Sequence, residues 1–321
     1  MVRSLIAQRP DLWEKITQRP SSHFVMLGTP NNGSHAMVET LLGKGSAVRK
    51  LAMLDFHHDL QEILDVIDDF DGVLQLLPYS GFEDTGIRDA RRRDEGHAAF
   101  EYHEQEQWGE IRRKNHDRWF RFRDGLGALP HKNRLKRARE FWNRLNVQNA
   151  PNGIAASERI VYVFGLDGHT PCGLTHKEGV DGLYLHGTVQ GDGSVSWDSG
   201  RLKCLAEESY WYMPATHSDL TNTESYFPAL VDLLRTGKTS QLSHKAPRTR
   251  SAAERTYRYD AGPVLRPGAE DLALSFWRTP LPRADGGSHA DPGGRCAGHG
   301  SAFCPVSHPV RPLSGGFDCR C

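Results

Sequence analysis

Asp192 sits between Gly191 and Gly193. His217 follows twenty-five residues later, just past the aromatic run Tyr210-Trp211-Tyr212-Met213 and Pro214. A carboxylate that holds an imidazole in one tautomer and stabilises its protonated form turns that imidazole into a general base. Such partners are held best on the ends of rigid strands, and this spacing leaves room for one connection and one strand. Residues 187–219 therefore read as an acid on a strand-end turn, a return strand, and a histidine on the loop after it. Gly-Asp-Gly is also an ordinary turn, so order and strand context, not the tripeptide, favour chemistry here.

The elements that must position this pair can be read around it. Residues 1–18 approximate one amphipathic face through Val2, Leu5, Ile6, Leu12 and Ile16, with Pro10 interrupting it or beginning a second turn. Phe24-Val25-Met26-Leu27 reads as a short buried strand that ends at Gly28, and Thr29-Pro30-Asn31-Asn32-Gly33-Ser34 as a loop of turn formers. From about Ala36 to Phe70 the apolar spacing is helical. Residues 80–150, dense in both charges and dotted with aromatics, read as a helical cap, with a clean stripe at Leu135, Ala138, Trp142 and Leu145. Ile160-Val161-Tyr162-Val163-Phe164 gives the strongest strand signal, being β-branched and aromatic throughout. A helix over 224–235 ends at Gly237. Helices alternating with buried strands predict an α/β fold with a partly parallel sheet over residues 1–245. Residues 246–321 read as a linker and a low-complexity tail.

Composition excludes several classes. Lys and Arg number 40 and Asp and Glu 40, which removes the simplest argument for nucleic acid. No run approaches the ~18 apolar residues of a membrane span, and the first residues carry no signal-peptide apolar core. Of six cysteines, four lie between Cys296 and Cys321, unlike a secreted disulfide framework. A cytoplasmic protein is expected. His97, His103 and His116 form no His-Glu-x-x-His pattern, and the Cys/His spacings of the tail match no zinc ribbon or finger. Neither metal nor cofactor is expected.

Three separated stretches resemble one family, the α/β-hydrolases of the lecithin:cholesterol acyltransferase-like branch. They are Leu27-Gly28-Thr29-Pro30-Asn31-Asn32-Gly33-Ser34 after a buried strand, Gly191-Asp192-Gly193-Ser194-Val195, and His217-Ser218-Asp219-Leu220 before a terminal helix. The resemblance implies an α/β-hydrolase fold and assigns the catalytic acid to Asp192 and the catalytic histidine to His217. It leaves the first loop as a wall of the active site without assigned chemistry. Ser194 and Ser196 depart from the family's Thr and Val-Pro after the acid's glycine.

In α/β-hydrolases the nucleophile is a serine on a Gly-x-Ser-x-Gly elbow upstream of the acid. That pattern does not occur in this sequence. Gly286-Gly287-Ser288-His289-Ala290 is the nearest variant and lies after the histidine, while Ser34 and Ser80 precede Asp192 without a strand–turn–helix context. In the resembling family a helix like Val2–Ala7 follows the elbow directly, so the serine is expected ~5 residues ahead of Met1, on a segment encoded upstream. The expected activity is that of a serine esterase, lipase or acyltransferase on carboxylic, lipid-type esters, with little or no turnover by this chain alone. The alternative is a non-catalytic remnant or partner-binding module.

Overall fold

Apolar residues recurring at three- and four-residue spacing become short helices wherever a proline, glycine or capping side chain bounds them. The computed structural model describes residues 1–93, 96–115, 129–247 and 256–259. The first amphipathic stretch forms two helices, Val2–Gln8 (α1) and Pro10–Thr17 (α2), because Pro10 occupies the first turn of the second. Phe24–Leu27 (β1) follows. The helical region after it breaks into His35–Leu41 (α3), Ser46–Leu54 (α4), Leu60–Ile67 (α5) and Asp71–Leu74 (α6). Ser34 caps α3, and Asp59 with Glu62 closes a capping box on α5.

The region expected as a helical cap holds Thr85–Arg93 (α7), Gln105–Lys114 (α8) and Lys132–Asn146 (α9). It also holds a short strand, His97–Ala99 (β2), that the sequence reading did not anticipate. The buried face of α9 is Leu135, Ala138, Trp142 and Leu145. Ile160–Phe164 (β3), Thr170–Lys177 (β4) and Tyr184–Thr188 (β5) lead to Trp197–Gly200 (α10), Tyr210–Tyr212 (β6), Phe227–Thr236 (α11) and Thr256–Tyr259 (β7).

The strands make two sheets. One is parallel, in the order β1-β3-β6; the other is antiparallel, in the order β2-β4-β5-β7. All five residues of β3 are buried, and their alternation shows why. Ile160, Tyr162 and Phe164 join Met26, Tyr210 and Tyr212 on the face covered by Ile6 of α1 and Trp13 of α2. Val161 and Val163 join Trp211 on the face covered by Leu230 and Leu233 of α11. Burial on both faces produces an uninterrupted apolar run, which is why this strand stood out. A separate core joins α3, α6, α8 and α9 to Leu174 and Leu185 of the antiparallel sheet.

Among the described residues the parallel sheet has an open edge. Gly28 N–H donates to the carbonyl of Val163 at 3.0 Å, so Phe24, Met26 and Gly28 turn their peptide groups toward β3. By the alternation of a parallel ladder, the N–H and C=O groups of Val25 and Leu27 face the other way. Among the described residues no strand pairs with that edge and no backbone bond satisfies those groups. No helix among the described residues is long and apolar enough to cross a membrane. The described residues all fall in one compact unit; the Cys and His residues of the tail, from Cys296 to Cys321, lie outside the described residues, as do His116 and the Gly286–Ala290 variant.

α1 is fixed by a buried cation. The Arg3 guanidinium donates to Gln148 Oε1 at 3.2 Å, to the Asn31 carbonyl at 2.6 Å and to the Leu145 carbonyl at 2.9 Å, and Gln148 Nε2 returns a bond to the Arg3 carbonyl. Burial lowers its pKa to about 10, still far above neutrality. Arg3→Met keeps the apolar stem but leaves three acceptors without a donor. Chemical denaturation should show a loss of about 2–4 kcal/mol; an unchanged midpoint would mean that the three bonds contribute nothing net.

Candidate functional site

Asp192 does not follow β3 directly in sequence, yet it lies at its end in space. The hairpin of β4 and β5 loops out between them, and the chain returns so that Asp167 N–H, just past β3, donates to the Gly191 carbonyl at 2.7 Å. A Cβ on Gly165 would stand 2.6 Å from Asp192 Cβ, so the residue that follows β3 must be glycine for the acid to pack there. The expected "acid on a strand end" is thus reached through an insertion belonging to the antiparallel sheet.

The pair itself is tied twice. Asp192 Oδ2 is 2.9 Å from His217 Nδ1, and the backbone N–H of His217 donates to the Asp192 carbonyl at 2.7 Å. The other carboxylate oxygen, Oδ1, accepts from the N–H groups of Ser194 at 2.9 Å and Val195 at 2.7 Å. The Asp192 side chain is 2 % exposed and the His217 side chain 42 %. A carboxylate that already accepts from two amides requires Nδ1 to carry its proton as donor, which assigns the lone pair of the neutral ring to Nε2. Among the described residues Nε2 makes no hydrogen bond. The hydrogen bond to Asp192, reinforced by its charge and opposed by partial burial, raises the His217 pKa above the ordinary histidine value. The ring is a base with one nitrogen anchored and the other available.

Gly28 makes the pair possible. It has φ +52°, and an added Cβ would lie 2.5 Å from Asp192 Oδ2 and 3.0 Å from His217 Nδ1. The backbone leaving β1 therefore runs against the Asp–His hydrogen bond itself. Beyond it, the loop expected only as a wall is a clamp. Asn31 Nδ2 donates to the Gly200 carbonyl at 2.8 Å, and Asn32 Nδ2 to those of Ser199 and Arg201 at 2.9 and 2.8 Å. Ser34 Oγ donates to the Ser194 carbonyl at 2.5 Å, and Ser199 Oγ to that of Gly33. Asn31 and Asn32 are both nearly fully buried; two adjacent amide residues in the loop are the signal in the sequence that could have shown it holding another backbone in place.

Ser196, a departure from the family pattern, also has a structural reason. Its hydroxyl caps α10 by accepting from Ser199 N–H at 3.2 Å and donates to Asp84 Oδ2 at 2.6 Å. Asp84, buried to 1 % exposure, tethers the acid's loop to the segment before α7, with His35 Nδ1 3.7 Å away. Nothing in the spacing of Asp84 to Ser196 betrays this contact. Thr170 Oγ1 accepts from Gly193 N–H at 2.8 Å and Trp197 Nε1 donates to the Gly165 carbonyl at 2.9 Å, completing the frame.

The other candidates are placed elsewhere. Ser34 is occupied by Ser194 and by capping α3, and Ser80 donates to Glu101 at 2.8 Å. His97 bonds Thr175 Oγ1 at 2.9 Å and receives Arg258 on Nε2 at 2.9 Å, while His103 lies 3.5 Å from Glu101. Among the described residues no three His, Cys, Asp or Glu side chains gather as metal ligands.

Two substitutions check the geometry. In Asp192→Asn the raising contacts vanish while burial remains, so the His217 pKa should fall below its value in the intact chain, read from the imidazole proton shifts in an NMR titration. Gly28→Ala should move it the same way, because the pair is forced apart, and cost about 1–3 kcal/mol from the left-handed backbone alone; a titration unchanged in both would detach the ring from the acid. No family model, no curated protein and no solved structure matches this chain.

Proposed function

We propose that the chain carries the acid–base half of a serine ester hydrolase or acyltransferase of α/β-hydrolase type. The single observation that supports this reading most is the doubly bonded Asp192–His217 pair at the ends of parallel strands, with Nε2 of the imidazole free to accept a proton. His217 takes the proton from an attacking serine hydroxyl and passes it to the leaving alkoxide. In the second half it takes a proton from the attacking water or acceptor alcohol and returns it to the serine oxygen as the acyl–serine bond breaks. Asp192 keeps Nδ1 as donor and stabilises the imidazolium. The substrate class that goes with this chemistry is a carboxylic ester of lipid type.

The serine and an oxyanion donor are proposed to arrive on a strand that adds parallel to the open edge of β1. Val25 and Leu27 turn two N–H and two C=O groups to that edge, and a strand laid there would end beside Gly28, the residue packed on the Asp–His bond. A parallel neighbour followed by a Gly-x-Ser-x-Gly turn would bring its hydroxyl toward Nε2. The open edge also favours a second reading, in which a partner's strand is bound there and no chemistry follows.

Turnover of p-nitrophenyl butyrate separates the two. The chain alone should stay at the buffer rate, since nucleophile and oxyanion donors supply most of the acceleration. The chain with an elbow-bearing strand fused ahead of Met1 should turn over, and His217→Ala should remove about 10³-fold or more of that rate. Activity that survives His217→Ala would sink the catalytic assignment, and a fusion that folds, pairs and stays inactive would favour the binding module. If His217 is the base, the rate should rise with pH through the His217 pKa, at a higher pH than an unpaired histidine would give.

A further inference from the structure

Between α1, α2, the end of α9 and the turn over residues 153–156 lies a cavity of about 830 Å³. None of its lining residues belongs to the Asp192–His217 pair or to the Gly28–Ser34 loop. Its walls are chiefly apolar, with Ile6, Trp13, Phe141, Leu145, Val147 and Ile154 among them. Sites for small organic molecules are concave, mostly apolar and about 300–1,000 Å³ in volume. We propose that this cavity binds the aliphatic chain of an uncharged single-chain amphiphile.

The walls are tied to one another, and that is what keeps the space open. Arg3 of α1 donates to Gln148 Oε1 and to the Leu145 carbonyl, both on the cavity's α9 side. Trp13 Nε1 of α2 donates to the Ala155 carbonyl at 2.7 Å. Gly153 lies so close to the same α9 side that an added Cβ would stand 2.3 Å from the Gln148 carbonyl oxygen. Interiors pack to the density of organic crystals, so elements free to slide would close an apolar gap. These contacts fix the helices and the turn at a spacing that leaves one. Ala156, also in the wall, has φ +52° and ψ 40°, and is the one non-glycine residue at positive φ among the described residues. Strain of that kind persists where the surroundings over-determine it, and it gathers at ligand sites.

The charges around the cavity choose the headgroup. Asp11, Glu14 and Arg144 are the charged residues that line it. Asp11 is matched by Arg9, whose guanidinium stands 2.8 Å from its carboxylate. Glu14 and Arg144 contribute one charge of each sign. An anionic or cationic head would therefore be drawn by one and repelled by the other, with little net gain. Ser4 and Gln8 offer neutral hydrogen-bonding groups that suit a hydroxyl or an ester. Affinity then comes from the chain, each buried methylene contributing about fourfold.

The inference is independent of the catalytic reading. Calorimetric titration of the full chain with 1-octanol and 1-decanol tests it, with decanoate and decylammonium as the charged counterparts. The expected result is saturable one-site binding that tightens about fifteenfold from the shorter alcohol to the longer. Ala7→Phe, at an exposed position of α1, fills the space, and Val147→Asp, also exposed, puts a charge in its wall. Each should weaken 1-decanol about tenfold or more with circular dichroism unchanged. Arg144→Gln should leave 1-decanol within about twofold. Absence of saturable binding, or binding of equal strength in the chain and in both Ala7→Phe and Val147→Asp, overturns the proposal. Decanoate or decylammonium binding more tightly than 1-decanol overturns it as well, since the cavity would then select an ion.

Discussion

The Asp192 carboxylate is the point at which the structure converges. Removing a carboxylate from water is costly unless its oxygens are satisfied, and here three donors do so: the amides of Ser194 and Val195 on one oxygen and the imidazole of His217 on the other. Each donor is fixed by something else. The amides belong to a turn closed by Gly191 opposite Ser196 and tethered by Thr170, Ser34 and Asp84. The imidazole is fixed by its own backbone bond to Asp192 and by Leu220, packed in the core beside it. The carboxylate can stay buried because four separate stretches of chain agree on where it sits.

How much of this could be read from residues depends on how local the cause is. β3 was visible because burial on both faces removes every polar residue from five consecutive positions. α9 was visible because one buried face repeats four times. Asp192 and His217 were visible as residue types around a strand. The antiparallel sheet was not. β4 carries Thr, His and Lys among its apolar positions, and β7 pairs with β5 across about seventy residues of sequence. A strand whose polar side chains bond one another, as Thr175 does with His97 and His186, loses the alternation that announces a strand. The helical region 36–70 read as one stretch because apolar spacing continues across the breaks; the left-handed Gly43 with Gly45, and the cap at Asp59, divide it.

The Gly28–Ser34 loop is a case between the two. Its turn formers were plain, and its chemistry was left unassigned. Its function follows from a length scale: two amide side chains reach across to carbonyls about 170 residues away and replace the hydrogen bonds that a regular element would have provided. The loop has no periodicity to betray this, only an excess of side chains with paired donors and acceptors in a segment that must be buried.

The hairpin between β3 and Asp192 links the molecule's two halves. It leaves the parallel sheet at Gly165, runs out as β4, returns as β5 and re-enters at Gly191, where the Asp167 amide closes the loop. A rigid excursion of this kind can deliver the acid accurately only if its two ends are fixed together, and its own strands are stiffened by pairing with β2 on one side and β7 on the other. The same strands carry Tyr184, under the guanidinium of Arg258, and Thr175, which bonds His97 and His186. Thr170 is the first residue of β4 and the acceptor for Gly193, beside the acid.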